Sequence, residues 1–445
     1  LLYEEIINRK KGYIIKLRNN IKNYNKFIKH SKLEIWIIND MIDKAGENGE
    51  YFFRYLNKKK YEKLKVFFVI SKNSSDYKRL KKLGNIIDYY SYRYLNIFLK
   101  SNKIISSISD EWTYSPYEID YKFIKDLLHF DYIFLNNEII KDDLSRELNK
   151  YRKDFNIILT SSIIENKALS SHKYGYMDKN LIIAQSPKFN HLKKLKDKSK
   201  LFKRIIIYPT YRKSIKGTIN SINHKSIYYN SFIYTEFFNF YNNLINNKKL
   251  LLIMKEYNYT GILCINSYFS SQWIDYNGND IFEINNNCDR EDILLNSSLL
   301  ITDYMNIFFD YSYLRKPIIY IQFDYEEYIT KDTPKGLYNY DKDGFGPVCK
   351  DIKCTIDEII FLIQNNCKVR LKYLRKIKKF FHLINNKRNE DIFKLILNGE
   401  GNKKNIELSY IIILFIIILK LFYKRRKRKR KFNHFELNMK IIITK

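Results

Sequence analysis

A short apolar run near residue 300 ends in polar residues that could bind an anion. Leu299–Thr302 predicts a buried strand, and Asp303, Met305 and Asn306 follow it at the start of an apolar helical pattern. The first N–H groups of a helix have no partner within the helix, so such a terminus can hold a phosphate. Open α/β sheets bind their ligands at the carboxyl ends of parallel strands. The segment therefore predicts a phosphate site around Thr302 and Asp303.

Short β-rich runs alternate with longer helical patterns along most of the chain. Most of the runs are continuously apolar, as expected for parallel strands that are covered on both faces. The predicted strands are Glu34–Ile38, Val66–Ser71, Ile86–Tyr90, Lys103–Ser106, Tyr132–Leu135, Ile157–Thr160, Leu181–Ala184, Arg204–Tyr208, Gly261–Ile265, Ile281–Ile284, Leu299–Thr302 and Pro317–Gln322. The helical patterns include Gly49–Lys63, Arg93–Lys100, Lys141–Tyr151, Thr235–Asn247 and Asn306–Arg315.

This alternation predicts an α/β protein with doubly wound parallel sheets. A dozen strands strain a single open sheet, so we expect two sheets. The basic stretch 191–203 is poor in apolar residues and predicts a linker. The predicted organisation is an N-terminal helical segment at 1–24, Rossmann-like domains at 25–190 and 204–398, the second with closing helices, and a tail at 405–445.

Composition narrows the range of partners. The 445 residues include 80 Lys and Arg against 48 Asp and Glu, a formal net charge of +32. This charge favours anionic membranes, polyphosphates or nucleic acid, although an AT-rich coding bias would also supply many lysines. The sequence has neither a nucleic-acid-binding motif nor an interleaved aromatic and basic stripe. Nucleic acid is therefore not an expected partner.

The cysteines predict neither a metal site nor disulfides. Cys264, Cys288, Cys349, Cys354 and Cys367 form no Cys-x-x-Cys pair, and no Cys/His cluster has zinc spacing. We expect unpaired, mostly buried thiols in a reducing compartment.

The C-terminal end combines an apolar run with a basic run. Leu408–Leu419 is almost wholly apolar, and Lys424–Lys431 is an unbroken basic run. As a helix, the apolar run extended to Tyr423 would be about 24 Å long, against a hydrocarbon core of about 30 Å. The basic run would face the cytoplasm and anionic headgroups. We therefore predict a protein at the cytoplasmic face of the cell membrane, peripheral or tail-anchored; the alternative is a buried tail with a solvated charge run.

A series of motifs in chain order resembles the CDP-glycerol glycerophosphotransferases, a family that builds teichoic-acid-like polymers. In the second half they are Pro-Thr-Tyr-Arg at 209–212, Ile-Thr-Asp-Tyr at 301–304, Phe-Asp at 309–310, Lys-Pro at 316–317 and Asp-Gly-Phe-Gly-Pro at 343–347. In the first half they are Asn-Gly-Glu-Tyr-Phe-Phe-Arg-Tyr-Leu at 48–56, Ser-Lys at 71–72, Ile-Ser-Ser at 105–107 and Thr-Ser-Ser at 160–162. The matches cover residues 35–385 in the order of the family, which makes the resemblance specific.

The resemblance implies a GT-B-like pair of Rossmann-like domains that face each other across a cleft with the active site. CDP-glycerol or a related CDP-polyol would be the donor. Its glycerol phosphate would pass to a hydroxyl of a lipid-linked polyol phosphate acceptor, with CMP leaving. No cofactor is expected. The acceptor hydroxyl would benefit from a base, a role that suits histidine near neutral pH.

The resemblance also implies a set of donor-side residues around the phosphates. They are Arg212, Thr302, Asp303, Met305, Asn306, Asp310, Gly346 and Pro347. Met305 and Asn306 stand where relatives have two serines. Two alternatives stay open: Asp303 caps the following helix, and Arg212 pairs with a carboxylate.

The chain departs from the family where relatives have histidines. After the strand Tyr132–Leu135 relatives carry His-Gly, whereas this chain has Asn137 and Glu138. Asn266 matches a second family histidine. An Asn amide cannot take a proton near neutral pH, and losing a general base typically costs about two to four decades in rate. We predict that Asn137 and Asn266 are impaired catalytic positions in a weak or inactive copy; the alternative is a non-catalytic protein that binds the CDP-polyol or the polymer.

Overall fold

The computed structural model describes residues 2–27, 33–153, 155–196, 202–210, 212–215, 231–265, 273–286, 288–382 and 388–399. Asn266 and the predicted tail 405–445 lie outside these residues. The described chain forms two lobes, each built on one parallel sheet.

The first lobe has a seven-stranded sheet. Its strands are β1 (Glu34–Asn39), β2 (Leu64–Ile70), β3 (Ile86–Asp88), β4 (Lys103–Ser106), β5 (Asp131–Phe134), β6 (Ile157–Thr160) and β7 (Leu181–Ile183). They pair in the order β3-β2-β1-β4-β5-β6-β7, and every pair is parallel.

The second lobe has a six-stranded sheet. Its strands are β8 (Arg204–Tyr208), β9 (Thr260–Cys264), β10 (Phe282–Asn285), β11 (Leu299–Thr302), β12 (Ile318–Ile321) and β13 (Val348–Cys349). They pair in the order β10-β9-β8-β11-β12-β13, again all parallel.

Helices connect the strands of both sheets. They are α1 (Leu2–Phe27), α2 (Asn48–Lys59), α3 (Tyr77–Lys81), α4 (Tyr92–Lys100), α5 (Ser145–Leu148), α6 (Lys150–Lys153), α7 (Ile163–Leu169), α8 (Pro187–Lys196), α9 (Glu236–Ile245), α10 (Lys248–Glu256), α11 (Arg290–Leu295), α12 (Ile307–Tyr313), α13 (Tyr325–Glu327), α14 (Tyr340–Asp343), α15 (Ile352–Gln364), α16 (Leu371–His382) and α17 (Asn389–Leu397).

The apolar runs form strands because both faces of each sheet are buried. In β1, Ile37 packs into one core of the first lobe, and its neighbours Trp36 and Ile38 pack into the core on the opposite face. In β11, Leu300 likewise packs on the face opposite to Leu299 and Ile301. Successive side chains of a strand point to opposite faces, so a continuous apolar run satisfies both. The predicted architecture of two doubly wound α/β domains is confirmed.

The last described helix returns to the first lobe. Ile392, Phe393 and Ile396 of α17 are buried in the same core as Trp36. The ring of Phe393 stacks on Tyr61 with a centroid distance of 4.0 Å. The predicted second domain, 204–398, therefore ends with a helix that packs on the first sheet. Helix α8 contacts both lobes, because Phe189 packs in a core of the second lobe and Lys188 N donates to Asn48 Oδ1 of the first. Asn190 of α8 also bonds to Asn389 of α17.

Several local predictions need correction. The pattern at Lys141–Tyr151 forms a loop and two short helices, α5 and α6, and Asp143 N of the loop donates a backbone hydrogen bond to Pro334 O at 3.0 Å. The predicted linker 191–203 begins inside α8. The two-residue strand β13 was not predicted, being too short to show a pattern.

The prediction of unpaired thiols is wrong for four cysteines. The structure pairs Cys264 with Cys288 and Cys349 with Cys354, while Cys367 is free and buried. In the sequence, these pairs are 24 and 5 residues apart. The fold brings the pairs together, which spacing alone could not show.

Phe393→Ala tests whether α17 completes the first lobe. The substitution removes a buried aromatic ring, and we expect it to lower the free energy of unfolding by about 3 kcal/mol or more. Urea unfolding followed by tryptophan fluorescence measures the change. Leu397→Ala on the same helix is the control, because Leu397 is 42% exposed. Equal effects of the two variants would contradict the packing.

Candidate functional site

Five charged side chains meet in the gap between the lobes, and we call them the interlobe cluster. They are Glu47, Glu138, Lys188, Arg290 and Asp310. Each comes from a segment that follows a strand: β1, β5, β7, β10 and β11 respectively. The carboxyl ends of both sheets therefore contribute to one gap, which is where open α/β sheets bind ligands.

The loop after β5 brings Asn137 and Glu138 to the gap. Asn136 bends the chain with a φ of +52°, a conformation that asparagine adopts more readily than most residues. Its Nδ2 donates to Oε1 of the buried Glu165 at 2.7 Å, which fixes the bend. The carbonyl oxygen of Asn137 accepts a hydrogen bond from Lys188 Nζ at 2.7 Å. Asn137 is therefore held directly beside the interlobe cluster.

The second lobe binds the same loop through Glu138. Asn306 Nδ2 donates to Glu138 Oε2 at 2.5 Å, and Arg290 lies 3.4 Å from Glu138 Oε1. Arg290 also pairs with Asp310 at 2.7 Å. Asp310 in turn lies 3.3 Å from Lys188. Three of the predicted site residues, Asn137, Asn306 and Asp310, are thus brought together.

The interlobe cluster sets three carboxylates against two cations. Burial would raise the pKa of Asp310, but Lys188 and Arg290 outweigh burial and hold this pKa below its ordinary value. Burial raises the pKa of Glu47, although Arg290 and Lys188 oppose the rise. The side chains of Glu138 and Arg290 are 38% and 33% exposed, so the cluster opens to solvent at their contact. A ligand phosphate would there meet an arginine that is already paired.

Arg212 belongs to a separate buried network. Its Nε donates to Asp324 at 2.7 Å and its Nη2 donates to Asp303 at 2.8 Å. The Tyr304 ring lies 4.8 Å from the guanidinium carbon. Burial would lower the pKa of Arg212, but Asp303 and Asp324 outweigh burial and hold this pKa above its ordinary value. The alternative that Arg212 pairs with carboxylates is confirmed, and its contact with a phosphate stays a prediction.

Thr302 and Asp303 are fully buried at the end of β11. Thr302 Oγ1 donates to the carbonyl of Tyr208 at 2.6 Å. Asp303 Oδ1 accepts from the backbone N and the hydroxyl of Thr210, at 2.8 and 2.6 Å. Asp303 does not cap α12, whose first position is preceded by Asn306. Both side chains tie β11 to β8, and their predicted contact with a ligand is not visible in this geometry.

Met305 and Asn306 are the first partly exposed residues after β11. Asn306 Oδ1 is buried and has no hydrogen-bond partner within the described chain. The Nδ2 of the same amide already bonds to Glu138. Asn306 Oδ1 is therefore a buried acceptor without a partner, next to the contact with Glu138.

Gly346 and Pro347 lie beside β13, the edge strand of the second sheet next to β12. They precede β13, which runs parallel to β12, so they are level with the start of β12 and not with its end. A Cβ on Gly346 would lie 1.9 Å from the carbonyl oxygen of Ile318, so glycine is needed there for close packing. The structure shows this packing role for Gly346, and the contact of Gly346 and Pro347 with a donor phosphate stays a prediction.

Three members of the interlobe cluster were not predicted from the sequence. Glu47, Lys188 and Arg290 occupy segments that follow β1, β7 and β10. The rule that ligands bind at the carboxyl ends of strands could have singled out these segments. It could not have shown which side chains point into the gap, since this depends on how the lobes dock.

Comparisons with known proteins agree with this geometry. The family model for CDP-glycerol:poly(glycerophosphate) glycerophosphotransferases matches residues 22–398. The chain belongs to this family. The match confirms the resemblance inferred from the motifs.

Two bacterial relatives place the family in teichoic acid synthesis. The minor teichoic acid biosynthesis protein GgaB of Bacillus subtilis is 31% identical over 381 residues, which cover 85% of this chain and 41% of GgaB. The teichoic acid poly(glycerol phosphate) polymerase of the same organism is 28% identical over 113 residues, 25% of this chain and 15% of the polymerase. The chain thus spans about two fifths of GgaB and a smaller part of the polymerase.

Solved structures support the fold. The wall teichoic acid polymerase TagF aligns with a TM-score of 0.59 at 14% identity, covering 89% of this chain and 97% of that chain. Another TagF structure is a histidine-to-asparagine variant with CDPG from a 15-minute soak, and it aligns with a TM-score of 0.56 at 16% identity. At this level of identity the likeness concerns the fold alone.

The described residues contain neither a metal-binding cluster nor a membrane-spanning helix. No group of three or more His, Cys, Asp or Glu side chains is placed to hold a metal ion. None of the described helices is long and apolar enough to cross a membrane.

Arg212→Met tests the assignment of Arg212 to the framework. The substitution leaves the carboxylates of Asp303 and Asp324 buried without their cation, which typically costs about 3–5 kcal/mol. Chemical unfolding measures this loss. Arg375→Met, on an exposed position of α16, should change the stability by about 0.5 kcal/mol or less. A stable Arg212→Met protein that had lost only ligand affinity would contradict the assignment.

Proposed function

We propose that the chain is a transferase of teichoic acid synthesis that moves glycerol phosphate from CDP-glycerol to an acceptor hydroxyl. Membership in the family supports the reaction class. The observation that carries the proposal is the interlobe cluster, in which groups from both lobes converge beside Asn137. The TagF variant soaked with CDPG supports the choice of donor. A lipid-linked polyol phosphate is the acceptor that we propose.

In this reaction the acceptor oxygen attacks the phosphorus that carries glycerol. The bond from this phosphorus to the bridging oxygen breaks, and CMP leaves with that oxygen. The proton of the hydroxyl must pass to a base. Most of the catalysis in such a transfer comes from positioning and from neutralising charge on the phosphoryl oxygens. Arg290 and Lys188 are the cations that the gap offers for neutralisation.

This copy lacks two features that the reaction needs. Asn137 stands at the family position of a histidine and can orient the hydroxyl but cannot take its proton. Glu138 stands where relatives have glycine, and its carboxylate bonds to Arg290 and Asn306. A carboxylate in this place competes with a donor phosphate for the same two partners. We therefore infer weak donor binding and slow transfer.

A second candidate function is binding without transfer. One observation favours it: Asn306 Oδ1 is buried without a hydrogen-bond partner in the described chain, so a polyol hydroxyl that displaced Glu138 would satisfy this acceptor, while Asn137 cannot take a proton. Such a protein would hold the CDP-polyol or the polymer and release it unchanged. Measured affinity for CDP-glycerol without turnover would identify this function.

The cellular location follows only from the sequence. The apolar run 408–419 and the basic run 424–431 support a protein at the cytoplasmic face of the membrane, attached to anionic lipid. Both runs lie outside the described residues, so this location stays a prediction.

Glu138→Gly and Asn137→His separate binding from chemistry. Glu138→Gly removes the carboxylate that contacts Arg290 and Asn306, while the pair of Arg290 with Asp310 remains. We expect the Kd for CDP-glycerol to fall about 10-fold. Adding Asn137→His supplies a base, and we expect kcat to rise by about two decades with little further change in Kd. Calorimetry measures binding, and transfer of radiolabelled glycerol phosphate to a lipid-linked acceptor measures kcat.

Glu62→Gly is the matched control, because Glu62 is exposed on a loop of the first lobe. It should change neither constant. Unchanged affinity in Glu138→Gly would refute competition by Glu138. Transfer by the parent chain as fast as by the double variant would refute the inferred impairment.

A further inference from the structure

A second cleft, of about 1200 Å³, adjoins the interlobe cluster. It is lined by residues of α2, α8, α16 and α17 and by the end of α12. Both lobes contribute to it. We call it the basic cleft because many of its lining residues are Lys or Arg.

The lining of the basic cleft is far richer in cations than the chain as a whole. Eight of its 19 lining residues are Lys or Arg, against 80 of 445 in the whole chain. Glu390 is the one acidic residue among the 19 described lining residues. At the Lys and Arg content of the whole chain, 19 residues would include about three or four such cations, so the cleft concentrates positive charge.

Most of these cations are not neutralised within the protein. In the described part of the chain, the lining residues make three contacts with side chains of opposite type: ion pairs of Arg54 with Glu50 and of Glu390 with Lys394 at 3.0 Å, and a contact of His191 with Glu291 at 3.6 Å. Lys58, Lys194 and Lys378 take part in none of the three. These lysines come from α2, α8 and α16, so free positive charge lies on several walls of the cleft.

The cleft also offers apolar and hydroxyl surface. Tyr51 stacks on His191 with a centroid distance of 4.7 Å. The hydroxyl of Tyr313 accepts a hydrogen bond from Gln185 at 2.6 Å. Hydroxyl and amide groups can donate to and accept from a polyol. A lining of repeated cations with such groups between them complements a chain in which phosphates alternate with polyols.

The basic cleft and the interlobe cluster share two helices. On α8, Lys188 belongs to the cluster, whereas His191 and Lys194 line the cleft. On α12, Asp310 belongs to the cluster and Tyr313 lines the cleft. A helix with its side chains is about 10 Å wide. A chain held in the cleft therefore lies close to the reacting groups.

We propose that the basic cleft binds the polyol phosphate chain of the acceptor, away from its reacting end. This proposal rests on the proposed function for the identity of the polymer. A single lipid phosphate would use only one or two of the cations, whereas a polymer would use cations on several walls at once. Binding there would keep the growing chain on the protein between successive transfers.

The test compares two triple variants of the full chain. Lys58→Glu, Lys194→Glu and Lys378→Glu together reverse charge in the basic cleft. Lys82→Glu, Lys167→Glu and Lys255→Glu together make the same change of net charge at exposed positions elsewhere. The probe is a fluorescent glycerol phosphate hexamer, and its Kd is measured by anisotropy at 50 and 200 mM NaCl. Thermal melting confirms that both variants fold, and a matching pair of Lys→Gln triples replaces them if either does not.

We expect the cleft triple to weaken hexamer binding about 10-fold or more and the control triple to weaken it less than 3-fold. Equal weakening by both would show that only net charge matters and would overturn the proposal. Unchanged binding in the cleft triple would overturn it as well. A cleft triple that keeps the hexamer but loses vesicles containing phosphatidylglycerol would identify a lipid site instead. CDP-glycerol affinity is measured in parallel, so a failed donor and a failed cleft are distinguished.

Discussion

Charged side chains that follow strands of the two sheets neutralise one another across a single gap, and the rest of the site depends on this contact. Lys188 reaches both Asn137 and Asp310, and Arg290 reaches both Asp310 and Glu138. Removing one partner of a buried ion pair leaves an uncompensated charge, which is costly. The pairing therefore fixes how the two lobes dock. It keeps Asn137 close to Asn306, which bonds to the adjacent Glu138. It also occupies the cations that a phosphate would need.

The Arg212 network and the interlobe cluster both pair arginine with carboxylates, but they differ in exposure to solvent. Arg212 and Asp303 are 3% and 0% exposed, so their charges are used up inside the second lobe. Glu138 and Arg290 keep about a third of their side chains exposed, so their pairing can be broken by a ligand. Burial thus distinguishes the arginines Arg212 and Arg290, whereas Asp303 and Asp310 are both buried. In this structure, the family motif at Asp303 preserves the fold, and the one at Asp310 preserves the gap.

Patterns that depend on local sequence were predictable, and those that depend on docking were not. The strands were found because parallel strands need continuous apolar runs, and the motifs in order revealed the family. Asn306 and Asp310 were found because they stand at positions of the family motifs that follow β11. Lys188 and Arg290 were missed because only the docking of the lobes brings them together. The packing of Gly346 against Ile318 could not be predicted, because the two-residue strand β13 that fixes it shows no sequence pattern.

We propose that a cytidine diphosphate donor binds in the gap beside Asn137 and Asn306. A crystal structure of the chain soaked with CDP-glycerol tests it most directly. We expect density for the diphosphate next to Arg290 and Asn306, with the Glu138 carboxylate displaced from both. A nucleotide bound elsewhere, with the contacts of Glu138 intact, would refute this donor site.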